Sequence, residues 1–309
     1  MSCETGRFSN EKFEMQYIKF GQGEKTLVIL PGLSVQSVIP AAAAIEKQYE
    51  VFKSDFTVYL FDRRQNLPEV YSVYDMADDT AEAMAELDLS EACLFGVSQG
   101  GMIAQVIAAE HREFVSRLAL ASTDCRANET LSTALNTWLD LARNYDTVGL
   151  YLSFGEKVYS PSVFNEYKSF FVDNAKTATK ADLDRFLILA KGISDFDATD
   201  LINKINCPVL VICDTDDRVL GSNVASGIEE QLKNKPDFAY RKTAGTVPCR
   251  MRDSIIFRSE CRKAFHSTSR LRYGHSVRSR CCADTAGSPE PARSWEPERP
   301  PNARSQARC

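Results

Sequence analysis

The sequence predicts an α/β fold: a mostly parallel sheet covered by helices on both faces and interrupted by a helical insertion. Three observations predict it. Continuous apolar runs recur at 26–30, 56–61, 93–97, 117–122 and 208–213, with helix-like segments between several of them. Such runs suit strands buried on both faces, and their alternation with helices argues for parallel connections. From about Glu129 to Thr199 the pattern becomes helical, and no strand-like run interrupts it.

In chain order, Met15 to Gly21 reads as a first strand, and Gln22-Gly23-Glu24-Lys25 as a turn. Thr26 to Leu30 is a buried strand ending in Pro31-Gly32-Leu33-Ser34, and Phe56 to Phe61 is the next, closed by Asp62-Arg63-Arg64. Ser72 with Asp75 reads as a capping box, followed by Val73, Met76, Ala77, Ala83, Met84 and Leu87 on one helical face. Cys93 to Val97 then runs into Gly96-Val97-Ser98-Gln99-Gly100 and a helix through Glu110 with an apolar stripe of Ile103, Val106 and Ile107. Arg117 to Ser122 is a further strand. The insertion carries Leu131, Leu135, Trp138, Leu139 and Leu141, then Phe164, Tyr167, Phe170 and Phe171, then Leu183, Phe186, Leu187 and Leu189. Cys207-Pro208 opens a strand through Cys213, residues 222–234 read as a helix, and Phe238 to Lys242 as the last strand.

The turn at Ser98 carries the chemistry. A strand that turns this sharply into a helix strains its central residue, and glycines on both sides let strand and helix pack closely. The serine hydroxyl is thereby lifted off the sheet at the positive end of the following helix. A plain helix-capping serine is the alternative reading of the same five residues.

With its strand–turn–helix setting, this segment resembles the nucleophile elbow of the α/β-hydrolase superfamily, over about residues 15–242. The resemblance implies that Ser98 is a nucleophile and that the backbone N–H groups of Leu33 and Gln99 form an oxyanion hole. It implies that the Asp62 and Arg63 segment braces neighbouring loops, and that the insertion is a helical cap over the nucleophile. It also places the catalytic acid at Asp217, with Asp216 as runner-up, in Asp214-Thr215-Asp216-Asp217-Arg218-Val219-Leu220. That carboxylate would hold a histidine in the right tautomer and stabilise the imidazolium. The implied organisation is a hydrolase core over 1–128, the cap over 129–199, the second part of the core over 200–265, and a disordered basic tail over 266–309.

The family's histidine follows the last strand, where this chain reads Thr243-Ala244-Gly245-Thr246-Val247-Pro248. The chain has 3 histidines. His111 ends the elbow helix, where the helix dipole accounts for it. Of His266 and His275, the Tyr273-Gly274-His275 setting makes His275 the nominated base, about thirty residues later than expected.

Composition changes at the same place. Residues 243–309 carry a net charge of +7 and residues 1–242 one of −12, within a total of −5. Half of the 12 prolines and half of the 10 cysteines also fall after residue 242. We read this as a C-terminus foreign to the preceding fold, such as translation in a shifted frame from about residue 243. The alternative is a basic tail that binds nucleic acid or another polyanion, but the segment lacks a basic-aromatic motif.

No stretch reaches the length of a membrane span or resembles a signal peptide. The cysteines lack metal-ligand spacing, and Cys93, Cys207 and Cys213 lie in apolar runs, so buried free thiols in a reducing cytosol are expected. Nothing requires a metal or organic cofactor. Two function classes follow: a serine hydrolase acting on a small ester, thioester or amide, or a hydrolase-fold protein without the chemistry, either a ligand-binding relative or a chain impaired by its C-terminus, since the histidine is missing from its usual place.

Overall fold

The structure, a computed structural model, describes residues 3–243 together with Cys261, Ala264 and Phe265. The strands are β1 (Glu4–Ser9), β2 (Glu14–Gly21), β3 (Lys25–Leu30), β4 (Phe56–Phe61), β5 (Ala92–Val97), β6 (Val115–Ala121), β7 (Val209–Asp214) and β8 (Phe238–Thr243). They form one 8-stranded sheet in the order β1-β2-β4-β3-β5-β6-β7-β8. Pairing is antiparallel from β1 to β2 and from β2 to β4, and parallel everywhere else. The expected mostly parallel sheet is therefore present, with its antiparallel part at one edge.

The apolar runs are continuous because successive residues face two separate cores. In β3, Val28 and Leu30 join one core while Leu27 and Ile29 join the other. In β7, Val209, Val211 and Cys213 face the first core, and Leu210 and Ile212 the second. The first core is covered by α2 (Val73–Glu86), α3 (Gln99–Glu110) and α9 (Ser226–Leu232). The second is covered by residues around α1 (Ala42–Gln48), by Phe52, and by Cys261, Ala264 and Phe265. Phe265 places its ring 5.9 Å from that of Phe56 and 6.3 Å from that of Phe52. Residues 261, 264 and 265 are spaced to share one helical face.

Three elements differ from expectation. The edge strand β1 was not foreseen: only Phe8 of its 6 residues is buried, so the sequence shows no apolar alternation there. Asn10 Oδ1 accepts the N–H groups of Lys12 and Phe13 and turns β1 into β2. The helix expected over 222–234 is confined to Ser226–Leu232, because Ala225 stands in the left-handed region at φ 63° and breaks it from the preceding turn. The strand expected to reach Ser122 ends at Ala121, and Ser122 turns away at φ 44°. The capping box of α2 forms as expected: Ser72 Oγ accepts the Asp75 N–H, and the Asp75 carboxylate accepts the Ser72 N–H.

Between β6 and β7 the chain is helical: α4 (Glu129–Arg143), α5 (Thr147–Val158), α6 (Pro161–Thr177), α7 (Lys180–Lys191) and the short α8 (Thr199–Ile202). Capping side chains at Asn128, Asp146, Ser160 and Thr179 start α4 to α7. Most insertion aromatics pack within this layer. Phe164 stacks on Phe171 and Phe186 is fully buried, while Phe170 is exposed.

Among the described residues no helix is long and apolar enough to cross a membrane, and no cluster of metal-ligating side chains occurs. None of the described cysteines forms a disulfide, with Cys93 and Cys213 buried as expected and Cys207 partly exposed. Burial pushes the Cys213 thiol up to about 11.

Candidate active site

Parallel strands end at a common edge, and open α/β sheets take their ligands beyond it. β3, β5 and β7 all end there. Ser98 follows β5 at φ 52°, ψ −120°, a region that non-glycine residues rarely occupy. Its backbone is pinned from both sides: the Ser98 N–H donates to the Ala121 carbonyl at 2.9 Å, and the Ser98 carbonyl accepts Thr123 Oγ1 at 2.9 Å. The flanking glycines are required by close approach. A Cβ on Gly100 would stand 2.0 Å from the Leu30 carbonyl oxygen, and one on Gly96 would stand 2.4 Å from that of Gly100. Helix α3 can therefore start directly against β3. Ser98 is half-buried, and its side chain makes no capping bond to α3.

The loop after β3 lies beside it. A Cβ on Gly32 would be 3.9 Å from Ser98 Oγ, and Gly32 and Leu33 line the same cavity as Ser98. Gln99, the first residue of α3, is buried, and its backbone N–H belongs to the first turn, whose donors lack intrahelical partners. Arg63 ties these pieces together: its Nη2 donates to the Pro31 carbonyl at 2.7 Å and to Gln99 Oε1 at 3.2 Å. Gln99 Nε2 donates in turn to the Leu189 carbonyl of α7 at 2.8 Å. Asp62 Oδ1 accepts the Arg63 N–H and the Arg185 guanidinium, each at 2.8 Å, joining the end of β4 to α7. Burial lowers Arg63 to about 10, with Asp62 opposing the shift. The Asp62–Arg63 pair thus occupies the bracing position that the resemblance implies.

Asp217 and Asp216 part company after β7. Asp216 is exposed, whereas Asp217 is 8% exposed and lines the cavity with Ser98. Asp217 Oδ1 accepts the N–H groups of Val219 at 2.9 Å and Leu220 at 2.7 Å. Burial raises its carboxyl above the ordinary range, and these two bonds act against the shift.

The cavity has a volume of about 220 Å³. Leu131, Leu135 and Trp138 of α4 and Phe154 of α5 form apolar walls, with Trp138 and Phe154 in ring contact at 4.6 Å. Ser122 lines it between the ends of β5 and β7, and its buried hydroxyl has no hydrogen-bond partner among the described residues. Phe154, Ser122, Lys157 and Arg218 were not singled out from the sequence. The kink at Ser122 has no local signature, and the others reach the cavity only through the packing of the insertion on the sheet.

Among the described residues His111 is the sole histidine, and it does not belong to this cavity. It caps the far end of α3, 12 residues and about 18 Å of helix from Ser98, and its Nε2 meets Asp78 Oδ1 at 2.8 Å. That hydrogen bond, besides the helix dipole, accounts for its place. His266, His275 and the tail assigned to 266–309 lie outside the described residues.

Comparison with known proteins adds the family. No curated relative matches by sequence. Solved structures share the fold at low identity. An α/β hydrolase enzyme, MGS-M2, from a Medee basin deep-sea metagenome library has a TM-score of 0.76 at 19% identity, over 87% of this chain and 99% of that one. A thermophilic esterase from Thermogutta terrifontis has a TM-score of 0.68 at 19% identity, over 85% and 98%. An enol-lactonase from Burkholderia xenovorans LB400 has a TM-score of 0.67 at 16% identity, over 85% and 100%. The sequence profile of the alpha/beta hydrolase fold matches residues 25–244, a span that holds β3 to β8, Ser98 and Asp217. The chain belongs to the α/β hydrolase fold family.

Proposed function

We propose that this α/β hydrolase is a serine hydrolase that cleaves a small ester, thioester or amide through an acyl-enzyme. The observation that carries the reading is the strained Ser98 elbow, with Leu33 and the buried Asp217 on the wall of the same cavity. Ser98 attacks the acyl carbon, and the N–H groups of Leu33 and Gln99 hold the oxyanion. Asp217 orients the base, for which the sequence nominates His275, and the helices of the insertion act as a cap that selects the acyl group. The fold neighbours named as an esterase and an enol-lactonase support the ester class. A cavity of about 220 Å³ favours a small acyl group, since drug-sized pockets run to roughly 300–1,000 Å³. Buried cysteines without disulfides suit a cytosolic setting.

A second reading is a family member that binds acyl ligands without turning them over. The placement of His111 favours it, because that residue is held by Asp78 at the wrong end of α3. Hydrolysis of p-nitrophenyl butyrate by the purified full chain separates the two. Turnover above background that disappears in Ser98→Ala supports the hydrolase. Absence of turnover with retained binding of hexanamide supports the second reading.

A further inference from the structure

The cavity wall carries two cations and one carboxylate. Besides Asp217, whose carboxylate is engaged with its own turn, the charged side chains on the wall are Lys157 and Arg218. Lys157 is half-buried in the last turn of α5, and Arg218 is exposed on the turn after β7. The Arg218 guanidinium donates to the Tyr159 carbonyl, two residues beyond Lys157. Two separate parts of the fold therefore bring a cation to one short stretch of the rim. Among the described residues neither pairs with a carboxylate.

Each cation has a local explanation, since the end of α5 suits a lysine and the Tyr159 carbonyl holds the arginine. Both cations nevertheless stand on the wall of one apolar cavity, and low-dielectric walls strengthen the field that an entering anion would meet. Leu131, Leu135, Trp138 and Phe154 supply the apolar complement below. Building on the acyl-cleaving reading of this cavity, we propose that it selects acyl compounds carrying a carboxylate or phosphate at the end that projects from the mouth. Lys157 and Arg218 are then specificity-determining residues.

The test is calorimetric binding of hexanoate, hexyl phosphate and neutral hexanamide to the full chain at low ionic strength. Its counterpart is the double variant Lys157→Gln/Arg218→Gln, which removes both charges and keeps polar side chains of similar bulk. The expected result is that at least one anion binds about tenfold more tightly than hexanamide, a preference the double variant loses while its affinity for hexanamide is unchanged. The anion that binds more tightly names the head group. Hexanamide binding as tightly as both anions, no binding of any of the three, or a preference that survives in the double variant would each overturn the proposal. Labelling by a neutral fluorophosphonate scores the hydrolase reading separately. Loss of anion preference with Ser98 still labelled in the double variant supports both, whereas an intact preference in a native chain that takes no label strikes the hydrolase reading alone.

Discussion

β5 and β7 are both buried parallel strands that end at the same edge of the sheet, and each passes into a turn on the wall of one cavity. The turns are held in different ways. After β5 the backbone does the holding: Gly96 and Gly100 admit close contact, and the Ser98 side chain caps nothing. After β7 a side chain does it, because Asp217 fastens its own turn through Val219 and Leu220. At the elbow, fold and proposed chemistry reside in different residues. At the acid turn they reside in the same carboxylate, so substitutions there should disturb both.

The largest expected effect is catalytic. Asp217→Asn should lower turnover by about 10⁴-fold, with little change in KM, because the base would take the wrong tautomer. Steady-state kinetics of both proteins measure it, and near-native turnover would remove Asp217 from the mechanism. Next comes Gly100→Ala, which drives a methyl into the Leu30 carbonyl. It should destabilise by about 3 kcal/mol or more in urea denaturation, or prevent folding. A smaller loss would mean that the elbow tolerates more space than its contacts indicate.

Smaller again is the structural part of Asp217. Asp217→Ala leaves the Val219 and Leu220 N–H groups without their acceptor and should cost about 2 kcal/mol, whereas Asp217→Asn keeps an acceptor. The pH dependence gives the sign. Burial raises the folded-state carboxyl, so the folded chain keeps this proton to higher pH than the unfolded chain does. Ionisation therefore subtracts stability as pH rises from the ordinary carboxyl value through the raised one. The Tm of Asp217→Asn relative to native should be highest near neutrality, and the difference should shrink below about pH 4. The smallest effect is at the elbow: Ser98→Gly should gain about 1 kcal/mol by relieving the backbone at φ 52°. No gain would place the strain elsewhere.

Legibility in the sequence follows the same division. The strands of the interior were readable because burial on both faces demands apolar residues without interruption, as in Leu27 to Leu30. The elbow was readable because close approach permits only glycine at Gly96 and Gly100. The resemblance put Asp217 ahead of Asp216, and of the two only Asp217 is buried on the cavity wall. The exposed edge strand β1 carried too little burial to show a period, and Ala225 broke a helix that propensity alone would have extended. The rim formed by Lys157 and Arg218 was not readable, since it exists only where the end of α5 meets the turn after β7.

The central claim is that Ser98 is a nucleophile, and the most direct measurement is covalent capture. The purified full chain would be treated with a fluorophosphonate, weighed intact by mass spectrometry and mapped by peptide digestion. The account predicts a single adduct located on Ser98 and none in Ser98→Ala. An unlabelled native chain, or an adduct that persists in Ser98→Ala, would contradict it.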